Sequence, residues 1–399
     1  MRRICAGVAK PGAKAQRLLP DRHGSSRALI QSPFFQGNCL WQFSLSEVNF
    51  VIQDKARPGR GASAPFLLCI GILLLSVPAF TATRPRYGGT LRVEIRESFD
   101  AADSPAAQRL LGSLSSGFTL SQWEPGRRAI YTAVDSAAGG RPFLDSVEIQ
   151  MARPIRDQSM DLGLDRADVV ELGPEQLRRQ APGRRVWASA PIRVVAIVFQ
   201  ARVEDARIRE ALALAVDRAA IHNVLLQRQG EVSGALLPQW LSGYAFLFPP
   251  AADLARARAL LAAVPAAARR LTLSVEDAAW QPVAERIALN ARDAGLTVSL
   301  AAPRAPADAR LVEARFSSSD PARALADLAA ALALPEPPSA ASPEALYAAE
   351  SALVEGFRVI PLFHLPDAYG VSPRVKGGPG ITPLGEWRFE NLWLESGRP

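Results

Sequence analysis

The residue types that most often do chemistry in proteins are scarce in this chain of 399 residues, and they are poorly spaced. All three cysteines, Cys5, Cys39 and Cys69, lie near the N-terminus, so the rest of the chain has no thiol for a disulfide, an iron–sulfur cluster, thiolate zinc or a nucleophile. Beyond them only His222 and His364 remain as imidazoles, 142 residues apart and without HExxH spacing. We therefore expect no catalytic residue, no metal site and no cofactor.

A glycine-rich run at 377–380 has the sequence Gly-Gly-Pro-Gly. It is not followed by a helical pattern and lacks the Lys-Ser or Lys-Thr ending of a phosphate-binding loop, so a turn is favoured. The chain has no GxSxG motif and no pair of acids in a recognisable context. An enzyme is therefore the least favoured class of function.

The charge of the chain is concentrated at one end. The formal net charge is +7, with 46 Lys and Arg against 39 Asp and Glu. Residues 1–79 hold ten basic and three acidic residues and so carry the whole excess, while the remaining 320 residues hold 36 of each sign. The excess therefore gives no reason to expect nucleic acid as a partner.

An apolar run, Phe66–Val77 (FLLCIGILLLSV), follows three basic residues and precedes small residues, which is the order of a secretory signal. Twelve helical residues span roughly 18 Å, short of the roughly 30 Å hydrocarbon core of a bilayer. The longer stretch 64–82 would just span it, so an uncleaved N-terminal anchor is one alternative and a buried core helix another. A signal peptide or anchor at 48–82 predicts a periplasmic or other extracytoplasmic protein.

The residues before this segment, 1–47, show neither periodicity nor a plausible order of elements. A signal ordinarily begins within a few residues of its basic region. We therefore interpret 1–47 as an upstream extension from a misplaced start, with Val48 as a suitable initiator, or as a disordered segment.

Beyond residue 84, short β-rich runs alternate with helical patterns rich in Ala, Leu and Arg, which predicts an α/β fold. The predicted strands are Thr90–Ile95, Ala129–Val134, Val147–Gln150, Arg193–Phe199, Leu271–Val275, Thr297–Leu300 and Val359–His364. The predicted helices are Asp205–Leu226, Asp253–Ala263, Trp280–Ala294 and Pro321–Leu332.

Several segments, taken in order, share their pattern with one family. They are Tyr87–Val93 (YGGTLRV), Ser116–Gly126, Gly140–Val147, Ile208–Arg218 (IREALALAVDR) after the strand that ends in Phe199 and Gln200, Ile360–Tyr369, and Glu390–Leu394. They resemble the extracytoplasmic solute-binding proteins of family 5, the peptide- and nickel-binding components of ABC importers. The resemblance implies a periplasmic-binding-protein-like fold of two lobes with mixed sheets. Residues 84–200 together with 310–399 would form the first lobe, and 201–309 the second.

Two departures from the family pattern bear on function. Where the family has a long segment that builds much of one lobe and a small extra domain, this chain has only Val93–Gly117, so the small domain is expected to be deleted. The resemblance also implies an Asp at position 317 that would pair with a peptide's α-ammonium, and Ser317 stands there. Losing that charge-assisted hydrogen bond would weaken peptide binding by about ten- to a hundredfold.

The resemblance and the aromatic loop Leu237–Pro250 together suggest candidate ligand contacts. The candidates are Phe316, Ser317, Ser318, Trp240, Tyr244 and Gln200. For the two loop aromatics, packing beneath the loop is the alternative role. We interpret the helical segment Ile208–Arg218 and His364 as structural.

The leading hypothesis is an exported solute-binding protein that closes its lobes on a small solute, peptide-like or other, and delivers it to an ABC permease in the membrane. Its partners would be that solute and that permease. The first alternative is a degenerate paralogue that acts as a protein-interaction scaffold, which an exposed aromatic patch would favour. The second, an enzyme, would need convergent acids in a pocket.

Overall fold

The computed structural model describes residues 84–178, 185–244, 246–302 and 305–395. The predicted extension 1–47 and the predicted signal or anchor at 48–82 lie outside these ranges. Within them, no helix combines the length and the apolar character needed to cross a bilayer.

The described residues form an eleven-stranded mixed sheet and a separate two-stranded sheet. The strands are β1 Thr90–Glu94, β2 Phe118–Glu124, β3 Arg128–Ala133, β4 Ser146–Gln150, β5 Val169–Glu171, β6 Arg185–Phe199, β7 Glu231–Val232, β8 Arg270–Val275, β9 Thr297–Leu300, β10 Ala309–Arg315, β11 Val359–Val371, β12 Val375–Lys376 and β13 Trp393–Leu394. The large sheet runs β2-β3-β4-β1-β5-β11-β6-β10-β8-β9, with β7 also paired to β11, and β12 pairs with β13. Parallel and antiparallel pairs occur side by side, as a mixed sheet requires.

Helices cover the faces of the large sheet. They are α1 Pro105–Leu111, α2 Ile155–Gly163, α3 Pro174–Arg178, α4 Ala206–Ala215, α5 Arg218–Val224, α6 Gln239–Ser242, α7 Leu254–Ala262, α8 Gln281–Ala294, α9 Pro321–Ala331 and α10 Pro343–Val354. The predicted helices over 253–263, 280–294 and 321–332 are confirmed to within two residues. Between β1 and β2 the chain forms only α1 and a short 3-10 helix, Gly112–Ser116.

The single helix predicted over 205–226 is wrong, because the chain forms two helices there. Val216 has extended backbone angles (φ −70°, ψ 113°), which end α4. The side chain of Asp217 then accepts a hydrogen bond from the Ala220 amide and so caps the start of α5. An apolar pattern cannot reveal such a break when the capping residue is also compatible with a helix surface.

Two long strands, β6 and β11, lie side by side at the centre of the sheet. Residues 194–198 of β6 pair with 359–364 of β11, and 185–188 pair with 368–371. Between these stretches Pro191 faces Pro366, and the register shifts on both sides of Pro366. Because proline has no amide hydrogen, the ladder is interrupted at this point. The two strands therefore join two regularly paired regions through a weakened centre.

The buried apolar side chains gather on either side of this centre. One cluster includes Leu91, Val147 and Trp387 and lies with β1, β3 and β4. On the other side, alternate residues of β6 point to opposite faces, as strand geometry requires. Val195 joins the cluster that holds α4, α7 and α8, and Val194 joins the cluster that holds α9 and α10.

Candidate functional site

A cavity of about 380 Å³ opens where the two paired regions of β6 and β11 meet. Its lining includes Arg96, Ile155, Glu171, Leu172, Leu177, Arg193, Leu225, Leu226, Gln229, Ala279, Trp280, Pro282, Val283, Glu313, Leu365, Pro366, Asp367 and Tyr369. The walls thus come from the end of β1, from β5 and α3, from the end of α5, from the start of α8 and from the three central strands. The volume is within the range of small-molecule sites.

The floor of the cavity is a chain of ion pairs built on the central strands. Arg193 of β6 donates through Nη1 to Glu313 Oε1 of β10 at 2.8 Å, and its Nε lies 3.1 Å from Asp367 Oδ1 of β11. Asp367 Oδ2 in turn lies 3.0 Å from Arg315 Nη2. Arg193 also donates to the carbonyl oxygen of Pro366, an acceptor at the interrupted part of the ladder. These groups hold one another in place at the point where the strands are least regularly paired.

The pairing sets the protonation of this floor. Burial acts to lower the pKa of Arg193, but the carboxylates of Glu313 and Asp367 outweigh it and raise that pKa further above its ordinary value. Burial likewise acts to raise the pKa of Glu313, yet the Arg193 guanidinium and the indole of Trp280 hold it below its ordinary value. The floor therefore consists of fixed, opposite charges.

A second group of charges lies at the rim. Arg96, just beyond β1, donates through Nη1 to Asp277 Oδ2 at 2.8 Å, and Asp277 lies in the turn before α8. The Arg96 amide donates to Glu171 Oε2 at 2.7 Å, while the Arg96 Nε lies 3.7 Å from the same oxygen. Arg96 therefore connects β5 on one side of the cavity with the turn before α8 on the other.

Glu171 differs from the other carboxylates of the site. Burial raises its pKa to about 7, and the opposing effect of Arg96 is not enough to restore the ordinary value. Its side chain keeps 19% of its surface exposed. Near neutral pH this carboxyl group can therefore be charged or neutral according to what occupies the cavity.

The remaining walls are mainly apolar, with Gln176 and Gln229 as neutral polar residues among them. Leu172 and Leu177 line one side, and Leu226 and Val283 line another. Trp280 is buried and donates through Nε1 to Glu313 Oε2 at 3.0 Å, which fixes the indole ring beside the floor. An apolar enclosure with a few fixed polar groups is typical of a binding site.

The chemistry that this arrangement supports is binding. The carboxylates of the floor are held by guanidinium groups, and the described residues that line the cavity include no serine, cysteine or histidine. Over the described part of the chain, no group of three or more His, Cys, Asp and Glu side chains is placed to hold a metal ion.

The residues predicted from sequence as ligand contacts lie elsewhere. Phe316 follows β10 and is buried, with its ring 6.2 Å from that of Trp240, which is itself half-exposed and donates to the Pro191 carbonyl. Ser317 is exposed and Ser318 half-buried in the loop before α9. These four residues form one neighbourhood next to the central strands, but they are not among the residues that line the cavity.

The last two candidates are placed apart from that neighbourhood. Tyr244 donates its hydroxyl to Glu350 Oε2 at 2.5 Å and packs edge-on against Tyr347 of α10. Gln200 follows the C-terminal end of β6, where its backbone amide donates to the backbone carbonyl oxygen of Asp308. Their role in ligand binding stays a prediction, and the contacts made by Tyr244 are those of a residue packed beneath a loop.

Sequence reasoning missed the charged residues of the cavity, namely Arg96, Glu171, Arg193, Glu313 and Asp367. A usable signal was present, because Arg193, Glu313 and Asp367 each interrupt an apolar strand, and a charge in a buried strand needs a partner. No spacing along the chain could show that the three strands are neighbours.

The most specific sequence motif, Ile208–Arg218, serves the core. Arg209 donates to the carbonyl oxygens of Gly356, Val203 and Glu204. Arg218 is almost completely buried, and burial lowers its pKa to about 10. Its guanidinium donates to the carbonyls of Ala213, Pro250 and Pro361.

The histidine of β11 is also structural. Burial lowers the pKa of His364 to about 4, so the ring is neutral at physiological pH. Its Nε2 lies 2.9 Å from the carbonyl oxygen of Leu236, to which it donates a hydrogen bond.

The mixed sheet, the two paired regions joined through β6 and β11 and the cavity between them define a two-lobe protein of the periplasmic-binding-protein type. The sequence profile of the bacterial extracellular solute-binding proteins, family 5 middle, matches residues 50–324. The chain belongs to this family. A search of curated proteins finds no match.

Solved structures with the same fold are distant in sequence. The ABC transporter substrate binding protein CtaP from Listeria monocytogenes is 13% identical with a TM-score of 0.59, and the alignment covers 70% of this chain and 66% of that one. NikA from Staphylococcus aureus in complex with Ni(L-His)2 is 12% identical with a TM-score of 0.59, with 70% and 68% covered. DppA from Helicobacter pylori in complex with the peptide STSA is 16% identical with a TM-score of 0.59, with 70% and 63% covered. The chain thus spans about two thirds of the length of these structures.

Proposed function

We propose that the protein is an extracytoplasmic solute-binding protein that captures one small solute in the cavity between its lobes and delivers it to the permease of an ABC importer. The observation that carries the proposal is the position of the cavity. Its walls come from both paired regions of the sheet, and its floor lies where β6 and β11 are interrupted by Pro191 and Pro366. A solute bound there would hold the two regions together, which is how lobe closure reports an occupied site.

The packing suggests a division into lobes that differs from the one predicted from sequence. Strand β10 pairs with β6 and β8, and the side chains of α9 and α10 pack on β6 and β10. We propose that residues 201–365 belong largely to one lobe. Residues 84–178 and 367–395 would form the other lobe, and β6 and β11 would connect the two.

The proposal includes export through the segment at 48–82. Family membership supports a location outside the cytoplasm. Cleavage after the small residues that follow Val77 would release a chain that begins near residue 80. N-terminal sequencing of protein recovered from the periplasm tests this, since a chain that still begins at residue 1 would contradict it.

The scaffold alternative receives less support. Trp240, Phe246 and Tyr347 are exposed aromatic residues, but none of them lines the cavity. An enclosed space that could hold a small molecule favours capture of a solute over docking of a protein.

A cavity-filling variant tests the proposed function. Ala279 lies exposed at the rim of the cavity, so Ala279→Trp would place an indole in the cavity with little disturbance of the core. Screened against peptides, sugars, amines and metal complexes, the unmodified protein is expected to show a rise in Tm with at least one small solute, and Ala279→Trp is expected to lose that rise.

The matched control is Ala330→Trp, the same change at an exposed position near the end of α9. It is expected to keep the response. Equal responses in both variants, or none in the unmodified protein, would contradict capture of a solute in this cavity.

A further inference from the structure

The carboxylate of Glu171 faces the cavity, and among the described residues only one of its two oxygens accepts a hydrogen bond. Its Oε2 accepts from the Arg96 amide, but among the described residues no donor contacts its Oε1. The Nε atom of the Arg96 guanidinium lies 3.7 Å from Glu171 Oε2, beyond hydrogen-bond distance. A ligand that donates a hydrogen bond to Glu171 would therefore complete its coordination.

The guanidinium groups around Glu171 already form ion pairs with other acids of the protein. Arg96 is closest to Asp277, and the Nη1 and Nε groups of Arg193 face Glu313 and Asp367. Arg315 completes the pairing of Asp367. Among the described residues that line the cavity are three carboxylates, Glu171, Glu313 and Asp367, and two guanidinium groups, Arg96 and Arg193. Arg193 pairs with Glu313 and Asp367, and Arg96 lies closer to Asp277 than to Glu171, so Glu171 is the carboxylate in excess.

Apart from the neutral amides of Gln176 and Gln229, the rest of the described lining is mainly apolar. Leu172, Leu177, Leu226 and Val283 surround the space next to Glu171, and Trp280 has its only donor occupied by Glu313. A group that enters this space loses its water, and a charged group loses water at a high cost unless it meets an opposite charge.

We propose that the solute is an amphipathic monocation, an apolar body of aromatic or branched aliphatic character with a single ammonium or amidinium group that pairs with Glu171. The inference rests on the proposed function and adds the chemical class of the solute. A free carboxylate on the solute is disfavoured, because the guanidinium groups that could receive it are paired with protein acids. A neutral analogue would leave the excess carboxylate without a counter-ion.

Three probes of nearly equal size separate these alternatives: 4-phenylbutylamine, 4-phenylbutanol and 4-phenylbutyrate. Measured by isothermal titration calorimetry at pH 8 and low salt, the amine is expected to bind at least tenfold more tightly than the alcohol, the usual effect of one charge-assisted hydrogen bond. The carboxylate is expected to bind more weakly than either.

Substitution of Glu171 tests whether this residue pairs with the cationic group of the solute. Glu171→Gln keeps the size of the side chain and removes its charge, so the preference for the amine over the alcohol is expected to fall to within about threefold. Glu171→Asp keeps the charge and is expected to restore part of the preference. The matched control is Glu276→Gln, which removes a carboxylate paired with Arg310 outside the cavity and is expected to keep the preference.

The results distinguish this inference from the proposed function. If the alcohol or the carboxylate binds as tightly as the amine, or if Glu171→Gln keeps the preference, the inference is wrong, while capture of a solute still stands. If none of the three probes binds and the solute screen finds a neutral or anionic ligand that Ala279→Trp rejects, the inference is again overturned and the function stands. If no solute binds at all, both are overturned.

Discussion

At the scale of single residues, Glu171 is the group on which most of the electrostatic behaviour of the site depends. The Arg193 guanidinium holds the pKa of Glu313 below its ordinary value, but burial raises the pKa of Glu171 to about 7. Its charge state is therefore open to change within the physiological range of pH.

This shift has a defined effect on stability. A carboxyl group whose pKa is higher in the folded than in the unfolded state favours folding fully below the unfolded value of about 4.5, and that contribution is lost as the pH rises through the folded value of about 7. Relative to the unmodified protein, Glu171→Gln should gain up to about 3 kcal/mol in its free energy of unfolding between pH 5 and pH 8. Urea unfolding at the two pH values measures this, and a parallel pH dependence of both proteins would contradict it.

The same shift has the opposite effect on a cationic ligand. Glu171 faces Arg96 and Glu97 beyond β1, Arg193 of β6 and the neutral Tyr369 of β11, and the balance of these charges leaves its carboxylate undercompensated. Because a cation binds the charged form, affinity for 4-phenylbutylamine should rise about tenfold from pH 6 to pH 8, as the ionised fraction rises. Calorimetry at the two values measures it, with the alcohol as the probe expected to show no such rise.

Loss of Arg193 should destabilise the fold. Its removal would leave Glu313 and Asp367 buried and without their guanidinium partner. Arg193→Met is expected to lower the free energy of unfolding by about 3 to 5 kcal/mol, the usual cost of breaking a buried pair by removing one member. Glu276→Gln, which breaks an exposed pair, should cost at most about 1 kcal/mol in the same urea titration.

At the scale of elements, the two central strands β6 and β11 form the middle of the sheet and supply residues that line the cavity. The sequence predicted only the halves of β6 and β11 at 193–199 and 359–364, where apolar β-branched residues are continuous. Both strands continue past a proline, Pro191 and Pro366, and proline ordinarily argues against a strand interior. The two prolines face each other, so both strands tolerate them at the same place. The pairing of Pro191 with Pro366 is a feature of the tertiary structure, and the sequence does not reveal it.

The ion pair between Arg96 and Asp277 links two elements, because it joins the end of β1 to the turn before α8 across the cavity. Asp277→Asn would keep the side-chain acceptor that caps the turn at Ala279 and would remove the charge. An exposed pair contributes up to about 1 kcal/mol, so affinity for a solute that needs both walls should fall by up to about fivefold, with less dependence on salt. Calorimetry at low and high salt measures this, and an unchanged affinity and salt dependence would show that the pair does not support closure.

At the scale of the whole molecule, the family and the fold class were predictable and the lining of the cavity was not. The ordered segments from Tyr87 to Leu394 pointed to family 5 and to a two-lobe fold, and both are confirmed. The predicted contact at Phe316 followed the family pattern and that at Trp240 followed the aromatic loop, whereas the cavity of this chain is lined by charges from β5, β6, β10 and β11. Long-range pairing places these residues together, and no local pattern encodes it.

The distribution of charge along the chain also bears on how a charged solute would reach the cavity. Residues 80–399 carry no formal net charge, so a charged solute is not drawn in by a long-range field. Selection by charge would then depend on the cavity, where the described lining holds three carboxylates and two guanidinium groups. The rate of association with an amine should accordingly change little with ionic strength, which stopped-flow tryptophan fluorescence can follow, and a steep fall with added salt would contradict this.

The central claim is that one small solute occupies the cavity between the lobes, and native mass spectrometry of protein recovered from the periplasm tests it most directly. We expect a population heavier than the processed chain by the mass of a single small molecule, absent from Ala279→Trp and present in Ala330→Trp. A single ligand-free mass that persists after the solute screen, or a bound mass that Ala279→Trp retains, would contradict it.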